Sequence, residues 1–155
     1  MSCHRPVHWR PHHWLSLAGR LAFAAWAVLL ILGCGDGRPN RVPVSGKVLI
    51  DGEPLIEGNI KFVPEAGRPS AGKVEPDGSF KLTCYDGGDG AIPGKHRVQV
   101  SASRILNGTR VQWFAPPHYA DFRRSGIEVE ITQPVDDLII ELKWGNMKGP
   151  FIDGS

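Results

Sequence analysis

This sequence predicts an all-β fold, an antiparallel seven-stranded β-sandwich following an N-terminal signal segment, and three observations predict it. Apolar residues recur at every second position in six short runs after residue 43. That is the period of strands buried on one face. The gaps between the runs carry turn chemistry, and no stretch beyond Cys34 repeats with the 3.6-residue period of a helix. Nineteen glycines and thirteen prolines beside a hydrophobic fraction of 41% fit a folded, turn-rich chain rather than a disordered one.

The runs follow one another in order. Val44, Gly46, Val48 and Ile50 alternate with Ser45 and Lys47; Ile60 and Phe62 flank Lys61. "AGKV" at 71–74 is a weaker strand, and Phe80, Leu82 and Cys84 alternate with Lys81 and Thr83. Val98, Val100 and Ala102 face away from Arg97, Gln99 and Ser101, as Ile127, Val129 and Ile131 do from Glu128, Glu130 and Thr132. Leu138, Ile140 and Leu142 close the series. Between them stand Asp51-Gly52 with Pro54, Asp77-Gly78, Pro93-Gly94 and Pro134 to Asp137. Asp-Gly pairs supply the positive φ of tight turns. Short strands of this number in roughly a hundred residues hide their apolar faces best as two packed sheets. The predicted domain covers residues 43–144, and 145–155 reads as a flexible C-terminal tail.

The first 33 residues have a different chemistry. Residues 1–20 hold Arg5, Arg10, Arg20 and four of the six histidines, with no acid, and "LAFAAWAVLLIL" follows at 21–32. The uncharged stretch from Leu21 to Gly35 is fifteen residues long, short of the roughly twenty that span a bilayer as a helix. A basic leader, an apolar block and a small residue describe an export signal. The ending "ILGC", Ile31 to Cys34, resembles the bacterial lipobox. That resemblance implies cleavage after Gly33 and acylation of the Cys34 thiol, so residues 1–33 are a lipoprotein signal peptide and Cys34 the lipidated amino terminus. Ile31 stands where Leu is commonest, and a plain cleaved signal or an uncleaved anchor is the alternative. Residues 34–42 read as the lipidated tether, rich in Gly, Pro, Asn and charge. The implied location is the cell envelope, membrane-anchored through Cys34 and facing the periplasm or cell surface, since several acyl chains suffice for stable anchoring.

Charge excludes a second class. Arg5, Arg10 and Arg20 are three of the 18 basic residues, which leaves 15 against 16 acidic from Cys34 onward. Lys and Arg alternate with Asp and Glu along the body, without the one-sided basic excess of a nucleic-acid binder.

The order of motifs resembles one family. "VSGKVLIDGEPLIEGNIKFVP" (44–64), "PDGSFKL" (76–82) and "PGKHRVQV" (93–100), followed by "PPHYADFRRSGIEVEI" and "DDLIIEL", are similar to the carboxypeptidase regulatory-like domain of small lipoproteins from planctomycete-type bacteria. The resemblance covers about 44–143 and implies a transthyretin-like, or prealbumin-like, β-sandwich acting as an accessory module. His96 departs from it, standing where the family has Tyr; its alternation with Val98 makes it an inward-facing strand-end histidine rather than a ligand or base. The closing Tyr-Arg-Gly-Ser of the transthyretin-like hydrolases is missing.

Few residues offer chemistry. Cys84 alternates with Phe80 and Leu82 and reads as a core thiol, not a nucleophile. "DGGDG" at 86–90 lacks the spacing and oxygen count of a calcium loop and reads as a turn. Asn107-Gly108-Thr109 reads as a loop, and no motif for a metal, a cofactor or a catalytic nucleophile is present. The connection from Ser103 to Arg124 is long enough to be functional. It holds Trp113, Phe114, His118 and Tyr119, the candidate ligand-binding residues, although "TRVQWF" could add a strand and the aromatics could instead fold back over an open end of the sandwich. Three functions follow as expectations. The first is a non-catalytic binding or structural module with an envelope protein or polysaccharide as partner. The second is a carbohydrate-binding module using Trp113, Phe114 and Tyr119. The third is a small hydrolase using His118 with Asp121 or Asp89.

Overall fold

The computed structural model describes residues 37–154. Signal peptide residues 1–33, with Gly33, and the lipidation residue Cys34 lie outside the described residues. Pro39–Ser155 forms one compact unit.

The unit is all-β. Its strands are β1 (Val44–Ile50), β2 (Glu53–Pro54), β3 (Gly58–Pro64), β4 (Ser70–Val74), β5 (Ser79–Lys81), β6 (Gly94–Ser101), β7 (Ser103–Asn107), β8 (Arg110–Trp113), β9 (Glu128–Ile131), β10 (Val135–Leu142) and β11 (Phe151–Asp153). A 3-10 turn spans Pro117–Ala120. The strongly curled main sheet runs β10-β1-β5-β4-β3-β6-β9, with β2 added to β1, and a second sheet of three strands runs β11-β8-β7. The curl brings the apolar faces of the seven strands together over one core, the β-sandwich that the alternation predicts. "AGKV" forms most of β4, and the "RVQW" of "TRVQWF" forms β8.

Period two decides the burial. Val44, Val48, Ile60, Phe62, Val74, Phe80, Val98, Val100, Ile131, Ile140 and Leu142 are buried, and the residues between them are exposed or half-buried. Burying a Val, Ile or Phe contributes roughly 1.5–3 kcal/mol each, which is why the register is fixed on this face. Cys84 is buried, with its Sγ 3.6 Å from the carbonyl of Arg68. His96 is 2% exposed and its ring centroid lies 5.8 Å from that of Phe62. Its Nε2 donates to the carbonyl of Ile92 at 2.8 Å, so the histidine fills an aromatic slot in the core as its position predicts.

The turns follow from their residues. Asp51 (φ 49°) and Gly52 (φ 87°) both occupy the left-handed region that a two-residue hairpin needs, and they join β1 to β2. In the turn before β5, Asp77 accepts from the Ser79 hydroxyl at 2.6 Å and from its backbone N–H at 3.0 Å, which holds the Asp77 carboxyl below its ordinary range.

Two features differ from expectation. β1 pairs with β10 in parallel, Val48 beside Ile140, whereas the other pairings are antiparallel. Alternation fixes which face a strand buries but says nothing of its neighbour's direction. Gly46 sits at this seam, where a Cβ would collide with the carbonyl oxygen of Leu138. The second correction concerns residues 145–155, expected as a flexible tail. Phe151–Asp153 pair with β8 in register, Phe151 beside Trp113 and Asp153 beside Val111, and the ring of Trp144 meets Phe151 edge-on at 6.0 Å. Aromatic burial, not length, holds this segment.

Candidate functional site

Strand direction gives the domain two ends with different chemistry. The chain enters at Val42, which bridges to Ala91 just before β1. Gly90, in the left-handed region at φ 89°, lies so close to the Val42 carbonyl that a side chain would overlap it. Beside this entry, Asp89 accepts from the backbone N–H of Cys84 at 2.7 Å and of Tyr85 at 3.2 Å, and Arg41 pairs with it at 3.0 Å. Burial alone would raise the Asp89 carboxyl; those backbone donors and the Arg41 guanidinium outweigh it and hold the group below its ordinary range. The guanidinium groups of Arg41 and Arg68 both lie over the Tyr85 ring, 5.1 and 5.0 Å from its centre. The "DGGDG" stretch is therefore a stapled turn whose second carboxylate is spent on its own backbone.

The opposite end is where β1 and β10 finish. Asp51 donates its backbone N–H to the carbonyl of Leu142, and its carboxylate accepts from Trp144 N–H at 3.4 Å. β6 finishes here too, beside the start of β3, and leads into the β7–β8 hairpin. Asn107 closes that hairpin by accepting from Thr109 and Arg110 N–H, at 3.3 and 3.0 Å. Arg104 of β7 forms an ion pair with Glu57, which raises the guanidinium's pKa, and lies 5.4 Å over the ring of Phe114. Large apolar side chains stay exposed here: Ile56 beside Glu57, Ile105 and Leu106 on β7, Met147 after Trp144, and Ile152 on β11.

The four candidate ligand-binding residues do not form one platform. Phe114 is 7% exposed and belongs to the core, its N–H bonded to the carbonyl of Ala102, which corrects its assignment to a ligand surface. Tyr119 packs partly buried against the core, and its hydroxyl accepts from Lys143 N–H at 3.2 Å. His118 stacks on Tyr119, ring centroids 4.0 Å apart. Both therefore close over the sandwich, the second of the two roles that the sequence allows for this segment. Trp113 stands apart on the small sheet, half-buried, beside Phe151 and Ser103. Trp113, Phe151 and Trp144 are thus the aromatic grouping. Phe151 falls in the supposed tail and Trp144 at the last position of the expected domain; two aromatics within eight residues around Gly149-Pro150 are the signal for an ordered segment.

Of the acid-base pairs expected of a hydrolase, His118 and Asp89 lie at opposite ends of the domain, while His118 and Asp121 share one turn, with Asp121 N–H bonded to the His118 carbonyl. Asp89 sits by the chain entry, and His118 lies next to Tyr119, whose hydroxyl reaches Lys143 at the far end of β10. The Asp121 carboxylate accepts from Arg123 N–H at 2.9 Å. Among the described residues no three His, Cys, Asp or Glu side chains converge as a metal-holding group. A cleft of about 330 Å³ opens over the outer face of β3, β6 and β9, lined by Glu65, Lys95, Arg97, Phe122 and Glu128. Its charges are of both signs, and Arg97 lies 3.9 Å from Glu128.

Compared with known proteins, the chain matches no family model, no curated protein and no solved structure.

Proposed function

We propose that this chain is a lipid-anchored, cell-envelope β-sandwich that acts without catalysis, as a binding or structural accessory module. The observation that carries it is the spacing between "ILGC" and the fold. The Cys34 acylation point stands eight residues before Val42, where the sandwich begins. Eight residues reach at most about 29 Å, so the anchor would keep the start of the domain within that distance of the bilayer surface. The motif order of residues 44–100 supports a carboxypeptidase regulatory-like domain of the transthyretin type, whose accessory role agrees with this reading. The partner is an envelope protein or polysaccharide.

Cell fractionation of Cys34→Ala tests the anchor. The variant should migrate as the longer uncleaved chain, its apolar block 21–32 retained, and lose incorporation of labelled fatty acid. A variant that keeps the wild-type mobility and stays with membranes overturns the proposal.

The aromatic grouping favours a second reading, a carbohydrate-binding module. Trp113 and Phe151 stand side by side on the small sheet, the ring of Trp144 packs against Phe151 from the preceding connection, and the Trp113 Nε1 donor meets no acceptor among the described residues. Flat indole faces stack on sugar rings. Silence of the domain on a glycan array, with Trp144→Ala binding no differently from wild type, removes this reading.

A further inference from the structure

We propose that β7 is a self-association edge, pairing antiparallel with β7 of a second copy of this chain, so that two three-stranded sheets become one continuous sheet. The inference is independent of the lipid anchor.

Apart from the two-residue β2, the sheets of the described residues end in β9, β10, β11 and β7. An open edge presents unpaired N–H and C=O groups to any other strand, and proteins blunt it with charge, proline or shortness. Three of these edges are blunted. β9 exposes Glu128 and Glu130, and β10 exposes Asp136, Asp137 and Glu141 after Pro134. Two copies meeting along either would set carboxylate beside carboxylate, which is repulsive. β11 is three residues long, follows Pro150 and ends on Asp153.

β7 differs in chemistry. Its five residues, Ser-Arg-Ile-Leu-Asn, contain neither acid nor proline, all are exposed, and the regular part of its pairing with β8 runs from Ser103 to Ile105, before a shift of register between Ile105 and Asn107. Ile105 is 76% exposed and Leu106 44%, far more than solubility asks of a strand. The one charge, Arg104, is already neutralised within its own chain by Glu57, so two copies do not repel through it. A second copy is therefore the occupant that the charge pattern admits here and refuses at β9 and β10.

The register follows from twofold symmetry. The two-fold sets Ile105 opposite Ile105 of the partner copy, at the end of the regular Ser103–Ile105 stretch and before the shift of register that precedes Asn107. Ile105 already stands beside Val111 of β8 on one face. The joint thus extends a row of β-branched side chains, Val111 and Ile105 of each copy, straight across the interface. Such cross-strand pairs are the stabilising unit of a sheet. It also covers an isoleucine that is 76% exposed in its own chain.

The test uses the full chain in its native membranes. Ile105→Cys, opposite itself across the twofold, should give a disulfide-linked dimer on non-reducing electrophoresis, at least ten times more than Ile139→Cys on β10, where the isoleucine is also 54% exposed. Two full-length copies with different tags should co-purify from detergent extracts. Ile105→Lys should abolish the capture at unchanged membrane levels, and Ile139→Lys should leave it intact. Equal cross-linking at both positions overturns the proposal. So does capture that survives Ile105→Lys, or a 105 cross-link that joins a different envelope protein instead of a second copy.

Discussion

The main sandwich and the small β11-β8-β7 sheet are built from the same kind of strand, yet they treat apolar side chains in opposite ways. In β3 the burial alternates, with Gly58, Ile60 and Phe62 inside and Asn59 and Lys61 outside. In β7 nothing is buried, and Ile105 and Leu106 both meet solvent. One region spends its hydrophobic residues on folding; the other leaves them available. The difference separates what holds this domain together from what it leaves exposed to solvent.

The sharpest way to break that comparison is to remove an apolar side chain from each region. Phe62 is fully buried against Phe80 and His96, so Phe62→Ala should cost about 3–5 kcal/mol in a urea unfolding experiment. Ile152, 46% exposed on β11, should change stability by no more than about 0.5 kcal/mol when replaced by alanine. A large cost at Ile152 would mean that the small sheet belongs to the core, and its exposed side chains would lose their claim to a partner.

The same contrast explains what the sequence disclosed. Alternation is the signature of a strand with one wet face, so Val44 to Ile50 and Val98 to Ala102 could be read directly, and Asp51-Gly52 announced its turn through the positive φ that it needs. β7 is wet on both faces and has no alternation to read; β11 is three residues long. The parallel β1–β10 seam was hidden because a period carries no direction, although Gly46 marks where the two backbones come close. At the candidate site, aromatic density drew attention to Trp113, Phe114, His118 and Tyr119 as either a ligand platform or a cover over the sandwich, and Tyr119 packs against the core as the second reading has it. It could not separate Phe114 from Trp113, because neighbouring residues on extended backbone point to opposite sides and only the packing says which side is the core.

A smaller effect sharpens the comparison at the chain-entry end. Asp89→Ala removes a carboxylate that two backbone N–H groups and Arg41 satisfy, and should cost about 2 kcal/mol at neutral pH. Its sign against pH is fixed by direction. The folded carboxyl is held below its ordinary value, so its contribution is complete above about pH 4 and is lost as pH falls through the lower folded value. The wild-type and Asp89→Ala curves should therefore converge in acid. An Asp89→Ala variant as stable as the wild type at neutral pH would show that Asp89 does not staple the turn.

The smallest effect lies where the two regions meet. β7 is tied back to the sandwich by Arg104, which reaches Glu57 and covers Phe114. An exposed ion pair is screened by salt and adds little to global stability. Arg104→Gln should consequently leave the unfolding midpoint within the spread of replicates. Its consequence is local, because a hairpin with few buried contacts opens independently of the core. Backbone amides of Ser103–Asn107 and Arg110–Trp113 should exchange with deuterium faster in the variant, while those of β1 and β3 keep wild-type rates. Added salt should quicken the same hairpin amides in the wild type and narrow the gap, since the attraction that Arg104 supplies is the part that salt removes. Uniform acceleration across both sheets would instead make the hairpin part of one cooperative unit with the sandwich, and the division into a folding region and a presenting region would fail.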